Sequence, residues 1–211
     1  WLAGNTSNTL IRNNALGGNA ADGIRLEFAS RNRIEANEVA RSGGNGIIMV
    51  GGGENTVVNN ALSTNGGFGI VAGEDLLPSN NNIIESNIIT EGQGGISVAS
   101  SNGNQIRFND VSGSSGPGIA LDIATNTLVR GNDVSANAGG IDVSASSNNR
   151  IEANNASGGL GSGIALEALS YNNVVVQNTA SQNGGDGISV EDSAPAGQGN
   201  LIDRNTTDGN G

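Results

Sequence analysis

The 211-residue chain holds 35 Gly, only 2% aromatic residues, no Cys and no His, and its nine basic residues stand against twenty carboxylates for a formal net charge of -11. This excludes a disulfide framework, a thiolate metal site and histidine acid-base chemistry, and a polyanion of this kind repels nucleic acid. No stretch approaches the roughly 18 consecutive apolar residues of a membrane span, so membrane insertion is not expected. No signal peptide is visible, and with Trp1 in first place a removed leader or a longer parent chain stays open.

The first predicted element is a short strand around Ile11, with Asn14 three positions on. The same step recurs at Ile34/Asn37, Val57/Asn60, Ile84/Asn87, Ile106/Asn109, Val129/Asn132, Ile151/Asn154, Val175/Asn178 and Ile202/Asn205. With 33 Asn in 211 residues, chance fills one or two of these nine positions. The chain therefore reads as a solenoid, and its function belongs on the faces of stacked coils.

Two places after each ladder Asn stands a second inward position, running from Leu16 and Val39 to Ala180 and Thr207. A Gly-Ile pair follows, at Ile24, Ile47, Ile70, Ile96, Ile119, Ile141, Ile164 and Ile188, with an apolar residue two places further. Alternation at period two marks a strand with one face inward. Each period of 22 to 24 residues, stretched twice to 26 or 27, thus carries three short strands. Stacked in parallel at about 4.8 Å per rung, nine coils make a rod about 40 Å long. The ladder Asn side chains are expected to be buried at a bend, bonded to their equivalents above and below. The Gly before each Ile is expected to hold a backbone geometry that a side chain would obstruct.

The pattern G-[DN]-G-I-x-[VL]-x(5)-N-x-I-x-x-N-x-[VL], clearest at residues 44–50 and 32–39, resembles the right-handed parallel β-helix repeat of pectin-lyase-like, NosD-like and mannuronan-epimerase-like proteins. The resemblance covers essentially the whole chain. It implies an all-β, right-handed, single-stranded parallel β-helix of about nine coils of 22–27 residues, three short strands each. Because the motif residues are structural ones, it speaks for fold more than for function.

A longer period runs over the short one. Outward residues beside the ladder strands read Arg12, Glu35, Val58, Glu85, Arg107, then Arg130, Glu152, Val176, Asp203, repeating charge character at offsets of 117 or 118. The turn after the Gly-Ile strand is six or seven residues long except at residues 72–82 and 190–200, where it is ten. The expected organisation is one β-helix domain over 1–211, with a five-coil unit at 1–117 and a partial second copy at 118–211. Neither end shows a recognisable cap, so further coils of the same parent chain are expected.

The long turns carry Glu74/Asp75 and Glu191/Asp192, hard oxygen ligands suited to calcium, the one cofactor the sequence offers. The competing reading is an acidic solvated turn copied by duplication. Asp110 and Asp133 are equivalent on adjacent rungs about 5 Å apart, a separation that suits paired catalytic carboxylates. Against catalysis, both follow ladder Asn at a turn, with Arg107 and Arg130 placed to neutralise them. Phe28, Phe68 and Tyr171 fall at turns and form no stripe of sugar-stacking rings. The lyase-like, polygalacturonase-like and epimerase-like constellations that the resemblance calls for are absent from this segment.

The reading is a non-catalytic extracellular β-helix scaffold or surface rod, with polysaccharide as the ligand class implied by resemblance. The resemblance also implies an extracellular, cell-surface or periplasmic location, in a bacterium. One alternative is a polysaccharide lyase, hydrolase or epimerase with its active site largely outside this segment. A further one is a NosD-like maturation factor, which Met49 alone equips poorly for copper.

Overall fold

The computed structural model describes residues 1–191 and 198–211. These form a right-handed parallel β-helix in which every named strand pairs in parallel with its equivalent one coil away. The first sheet contains nine strands, from Leu2–Ala3 through Ile24–Glu27, Ile47–Val50 and Phe68–Ala72 to Ile188–Val190. The second also contains nine, from Leu10–Arg12 and Arg33–Glu35 to Leu201–Asp203. Register follows the repeat, so Ile70 lies between Ile47 and Ile96, and Ile106 between Ile84 and Val129.

The third sheet differs from expectation. It holds five strands, Ala15–Gly17, Glu38–Ala40, Ala61–Ser63, Ile88–Thr90 and Asp110–Ser112, then continues only as single bridges from Asp110 through Asp133, Asn155 and Thr179 to Thr206. The inward residue of the first bridged coil, Val134, still matches Val111, and in the coils that follow it shrinks to Ala156 and Ala180. Small inward residues bury less apolar surface, leaving less to hold a strand of full length.

The core is a column of aliphatic layers. Ile34, Ile47, Ile70, Ile84, Ile96, Ile106 and Ile119 are completely buried, in one continuous cluster extending to Val175 and Ala180. Each such side chain contributes about 1.5–3 kcal/mol by leaving water. The Gly of each Gly-Ile pair is explained by close approach, since its φ is not positive. A Cβ on Gly95 would collide with Val111 of the third strand and with the carbonyl of Gly118.

The Asn column of the sequence is a hydrogen-bonded ladder. The backbone N–H and Nδ2 of Asn87 both donate to Oδ1 of Asn109, each at 3.0 Å, and Nδ2 also reaches the Val57 carbonyl of the preceding coil at 3.0 Å. The same arrangement joins Asn14 to Asn37 and continues to Asn178 and Asn205. Asn60, Asn132 and Asn154 carry it through the middle of the rod.

Two further columns behave alike. Asn32, Asn55, Asn82 and Asn104 form one, resumed at Asn149, Asn173 and Asn200. Ser42 over Asn65, Ser114 over Asn137 and Asn183 over Asn210 form the other. A shorter run of Ser146 and Ser170 closes the turn after the first sheet. All buried polar residues among those described are Asn, Ser or Thr, and none is charged.

Each ladder follows a backbone corner. The residue before every Asn of the first column has positive φ: Asn13, Ala36, Asn59, Ser86, Phe108, Gly131, Ala153, Gln177 and Arg204, between 52° and 65°. Only one of the nine is Gly, so most of these corners carry the roughly 1–2 kcal/mol cost of a left-handed side-chain-bearing residue. The ladder bonds that the bend permits offset that cost.

Truncating Asn109 to Ala should lower unfolding free energy by about 1–3 kcal/mol, because backbone groups in two coils lose partners. Gly95→Ala should cost about 1–3 kcal/mol by overpacking against Val111. Both are read from urea unfolding midpoints at unchanged slope.

Candidate functional site

The long turn at residues 73–82 is folded onto the outward face of the first sheet. Glu74 and Leu77 exchange two backbone hydrogen bonds, at 3.2 and 2.9 Å, closing a tight turn. The turn is tied to the neighbouring coil by Gly51 N–H to the Leu77 carbonyl, 3.2 Å, and Asn80 N–H to the Gly52 carbonyl, 3.1 Å. Such approach requires the run Gly51, Gly52, Gly53, because a Cβ on Gly53 would strike the backbone of Asn80.

Beneath the turn lies a small second core on the outside of the rod. Ile48, Val50 and Val71 point outward from the first sheet yet are buried, packed with Phe68 and Leu77. The turn divides the surface into two clefts of about 500 Å³ each. One is bordered by Phe28, the run of glycines, Glu54 and Asn81. The other is bordered by Phe68, Asn45, Ser97 and the two carboxylates Glu74 and Asp75. Leu76 and Leu77 form the ridge between them.

Glu74 and Asp75 are therefore exposed at the lip of a cleft. The second long turn is its counterpart in length in the sequence, and the strand positions that hold Ile48, Val50 and Val71 near the first turn are occupied by Ala165, Glu167 and Ser189 near the second. Glu191 is exposed, its N–H bonded to the Leu166 carbonyl at 2.8 Å, while Asp192 lies outside the described residues. Among the described residues no three Asp, Glu, His or Cys side chains converge on a common point.

Asp110 and Asp133 do stand on adjacent rungs, joined by a parallel bridge, and both are exposed on the third sheet. The Asp133 carboxylate accepts from the Ser135 N–H and from Asn155 Nδ2, each at 3.1 Å, as a turn residue does. The arginines expected beside this pair are engaged elsewhere. Arg107 binds Glu85 at 3.2 Å and Arg130 binds Glu152 at 3.2 Å, both along the outward face of the second sheet. Outward and inward residues alternate along a strand, and Arg107 and Arg130 face out from a different sheet than the two Asp.

A carboxylate that the sequence reading passed over has the more unusual environment. Asp142 points outward from the middle of the first sheet, between Ala120 and Ala165 on the flanking strands. Its two oxygens lie over Gly139, each 3.5 Å from the place a Cβ would occupy there. Burial, reinforced by the negative charge of Glu167, raises its pKa to about 6. The clue was in the outward column of the Gly-Ile strands, Arg25, Ile48, Val71, Ser97, Ala120, Asp142, Ala165, Ser189, which has no period to draw attention to one member.

A family profile described as right handed beta helix region matches residues 2–113 and 79–211, which together span nearly the whole chain. The chain belongs to the right-handed beta helix family. Among solved structures of this fold, the A-module of mannuronan C-5 epimerase AlgE6 from Azotobacter vinelandii superposes with a TM-score of 0.78 at 20% identity, over 97% of this chain and 59% of that one. A substituted form of the periplasmic alginate epimerase AlgG gives 0.66 at 16% identity, over 98% and 55%. A variant tailspike protein of E. coli bacteriophage HK620, in complex with a pentasaccharide, gives 0.70 at 12% identity, over 97% and 45%. The chain thus spans about half to three-fifths of the length of these proteins. No curated protein sequence matches it.

Asp142 gives this β-helix a defined pH response. The folded state holds a proton on Asp142 up to about pH 6, whereas the unfolded chain releases it near the ordinary value of 3.8. The contribution is therefore fully present below about pH 4 and is lost as pH rises through about 6. Asp142→Asn should stabilise the protein at pH 7.5 by on the order of 1 kcal/mol, allowing for solvent screening, and change little at pH 4. Paired thermal melts at the two pH values check this.

Proposed function

We propose that this segment is a non-catalytic, extracellular polysaccharide-binding rod, in which a glycan lies against the outward face of the first sheet. The observation that carries the reading is the turn at residues 73–82, which makes two ring-bordered clefts on an apolar pad of the outward face of the first sheet. Concave sites lined by apolar and aromatic groups with a few polar ones suit small-molecule and sugar ligands. The named neighbours, two epimerases of uronate polymers and a tailspike holding a pentasaccharide, favour the same ligand class. The periplasmic setting in the name of AlgG favours a location outside the cytoplasm. The five-coil period favours repetition for length, with this segment as part of a longer solenoid.

A second reading follows from Asp142. A carboxyl group titrating near 6 is suited to general acid-base work at neutral pH, and it lies on the sheet face that also carries the clefts. Among the described residues Glu167 is the one carboxylate that bears on it and no metal-ligating group of three converges there, which is why binding is the preferred conclusion.

The two readings separate in one experiment. Native gels cast with polysaccharides, run with and without calcium, should retard the protein. Parallel incubations should release neither reducing ends nor unsaturated products. No retardation by any polysaccharide would refute the binding rod. Product release abolished by Asp142→Asn would replace it with an enzyme.

A further inference from the structure

We infer that the cleft on the Phe28 side of the turn is a subsite for an uncharged pyranose unit, an assignment that rests on the polysaccharide-binding reading and names its chemical class. The Phe28 ring leans on Gly51, where a Cβ would fall 2.6 Å from it, and Phe28 is 47% exposed and borders the cleft. Leu76, Leu77 and Pro78 add apolar groups to the lining. A ring backed on one side and open on the other offers a stacking platform to the C–H face of a sugar.

The polar groups divide into two sets. Ser30 Oγ accepts the Gly53 N–H at 3.2 Å and Asn80 Oδ1 accepts the Asn102 N–H at 2.7 Å, so both serve the stacking of coils. Glu54 and Asn81 stand exposed at the rim and are the groups placed to meet sugar hydroxyls. A carboxylate accepts from hydroxyls and an amide both accepts and donates, which covers the hydrogen-bonding range of a neutral sugar.

Charge decides the class of sugar. No Arg lines either cleft, the nearest in the chain being exposed Arg31 one coil before Glu54, while Glu54 borders one cleft and Glu74 and Asp75 the other. Five of the nine Arg, Arg12, Arg33, Arg107, Arg130 and Arg150, lie instead in strands of the second sheet. Recognition of a uronate calls for a guanidinium or ammonium partner. In these clefts its carboxylate would meet like charge, on a chain whose net charge is already -11. The cleft therefore suits a neutral glycan, in contrast to the polymers in the names of the alginate and mannuronan epimerases of the same fold.

Affinity gel electrophoresis of the protein in hydroxyethyl cellulose, galactomannan, xylan and dextran, against alginate and polygalacturonate, tests this. At least one neutral polymer should retard the protein and the polyuronates should not. Phe28→Ala should weaken the neutral-polymer affinity tenfold or more, Phe28→Tyr should stay within threefold of the parent, and Phe108→Ala should have no effect. Phe108 is the control because its ring leans likewise on Gly131 but outside both clefts. Binding to polyuronates alone, or equal losses for Phe28→Ala and Phe108→Ala with unchanged melting temperature, would overturn the subsite while sparing the binding rod. Retardation by no polymer would remove both.

Discussion

The amide hydrogen bond between equivalent Asn side chains is what the rest of this molecule depends on. A coil bends sharply where the backbone enters the left-handed region, and such a bend leaves N–H and C=O groups pointing away from ordinary strand partners. The Asn that follows the bend satisfies groups in two neighbouring coils, with its Oδ1 accepting and its Nδ2 donating. Three columns of this kind, with a shorter Ser column, fix the corners of the coil and leave a narrow interior that Ile, Val and Leu fill without large rings. The low aromatic content is therefore a consequence of shape. Gly beside the Gly-Ile strand follows from the same narrowness, since Val111 and its equivalents occupy the space a side chain would need.

Much of this architecture is legible from residue order because the residues that set it recur. Ile106 and Asn109 read alike in every coil, and the structure puts them where the period says. The left-handed corners are not legible, since they are occupied by Ala36, Ser86, Phe108, Gln177 and Arg204 as readily as by Gly131. The demand there is on the backbone, and the ladder that follows supplies it whatever the side chain. The second Asn column, Asn32 to Asn200, is present in the repeat pattern but yields to the first because Thr127 interrupts it. Function is harder to read for a related reason. The clefts arise where Ile48, Val50, Val71, Gly51 and Leu77, all unremarkable by type, meet across coils. Asp142 takes its character from Gly139 and Glu167, which no local motif joins to it.

The two ten-residue turns are alike in sequence and differ in what surrounds them. Their lengths and acidic pairs repeat 117 or 118 residues apart, so sequence treats them as equals. The strand positions beside them are not repeated. The first turn rests on an apolar pad and is bound down to the run of glycines, while the equivalent strand positions of the later coils hold Ala165, Glu167 and Ser189. Outward positions of the first sheet do not set the fold, and they vary from coil to coil while the ladder positions stay constant. Among the described residues the buried pad of Ile48, Val50 and Val71 packs against Leu77 of the first turn.

The Asn column also has a sense of direction. Nδ2 of Asn14 donates to Oδ1 of Asn37, that of Asn37 to Asn60, and so on without reversal. Hydrogen bonds aligned head to tail polarise one another in a low-dielectric interior. The rod is thus a vector as well as a stack, presenting acceptors toward one end and donors toward the other. Any coil added to it continues that current of donors and acceptors only in one orientation, so assembly along this axis is polar in the way a filament is polar.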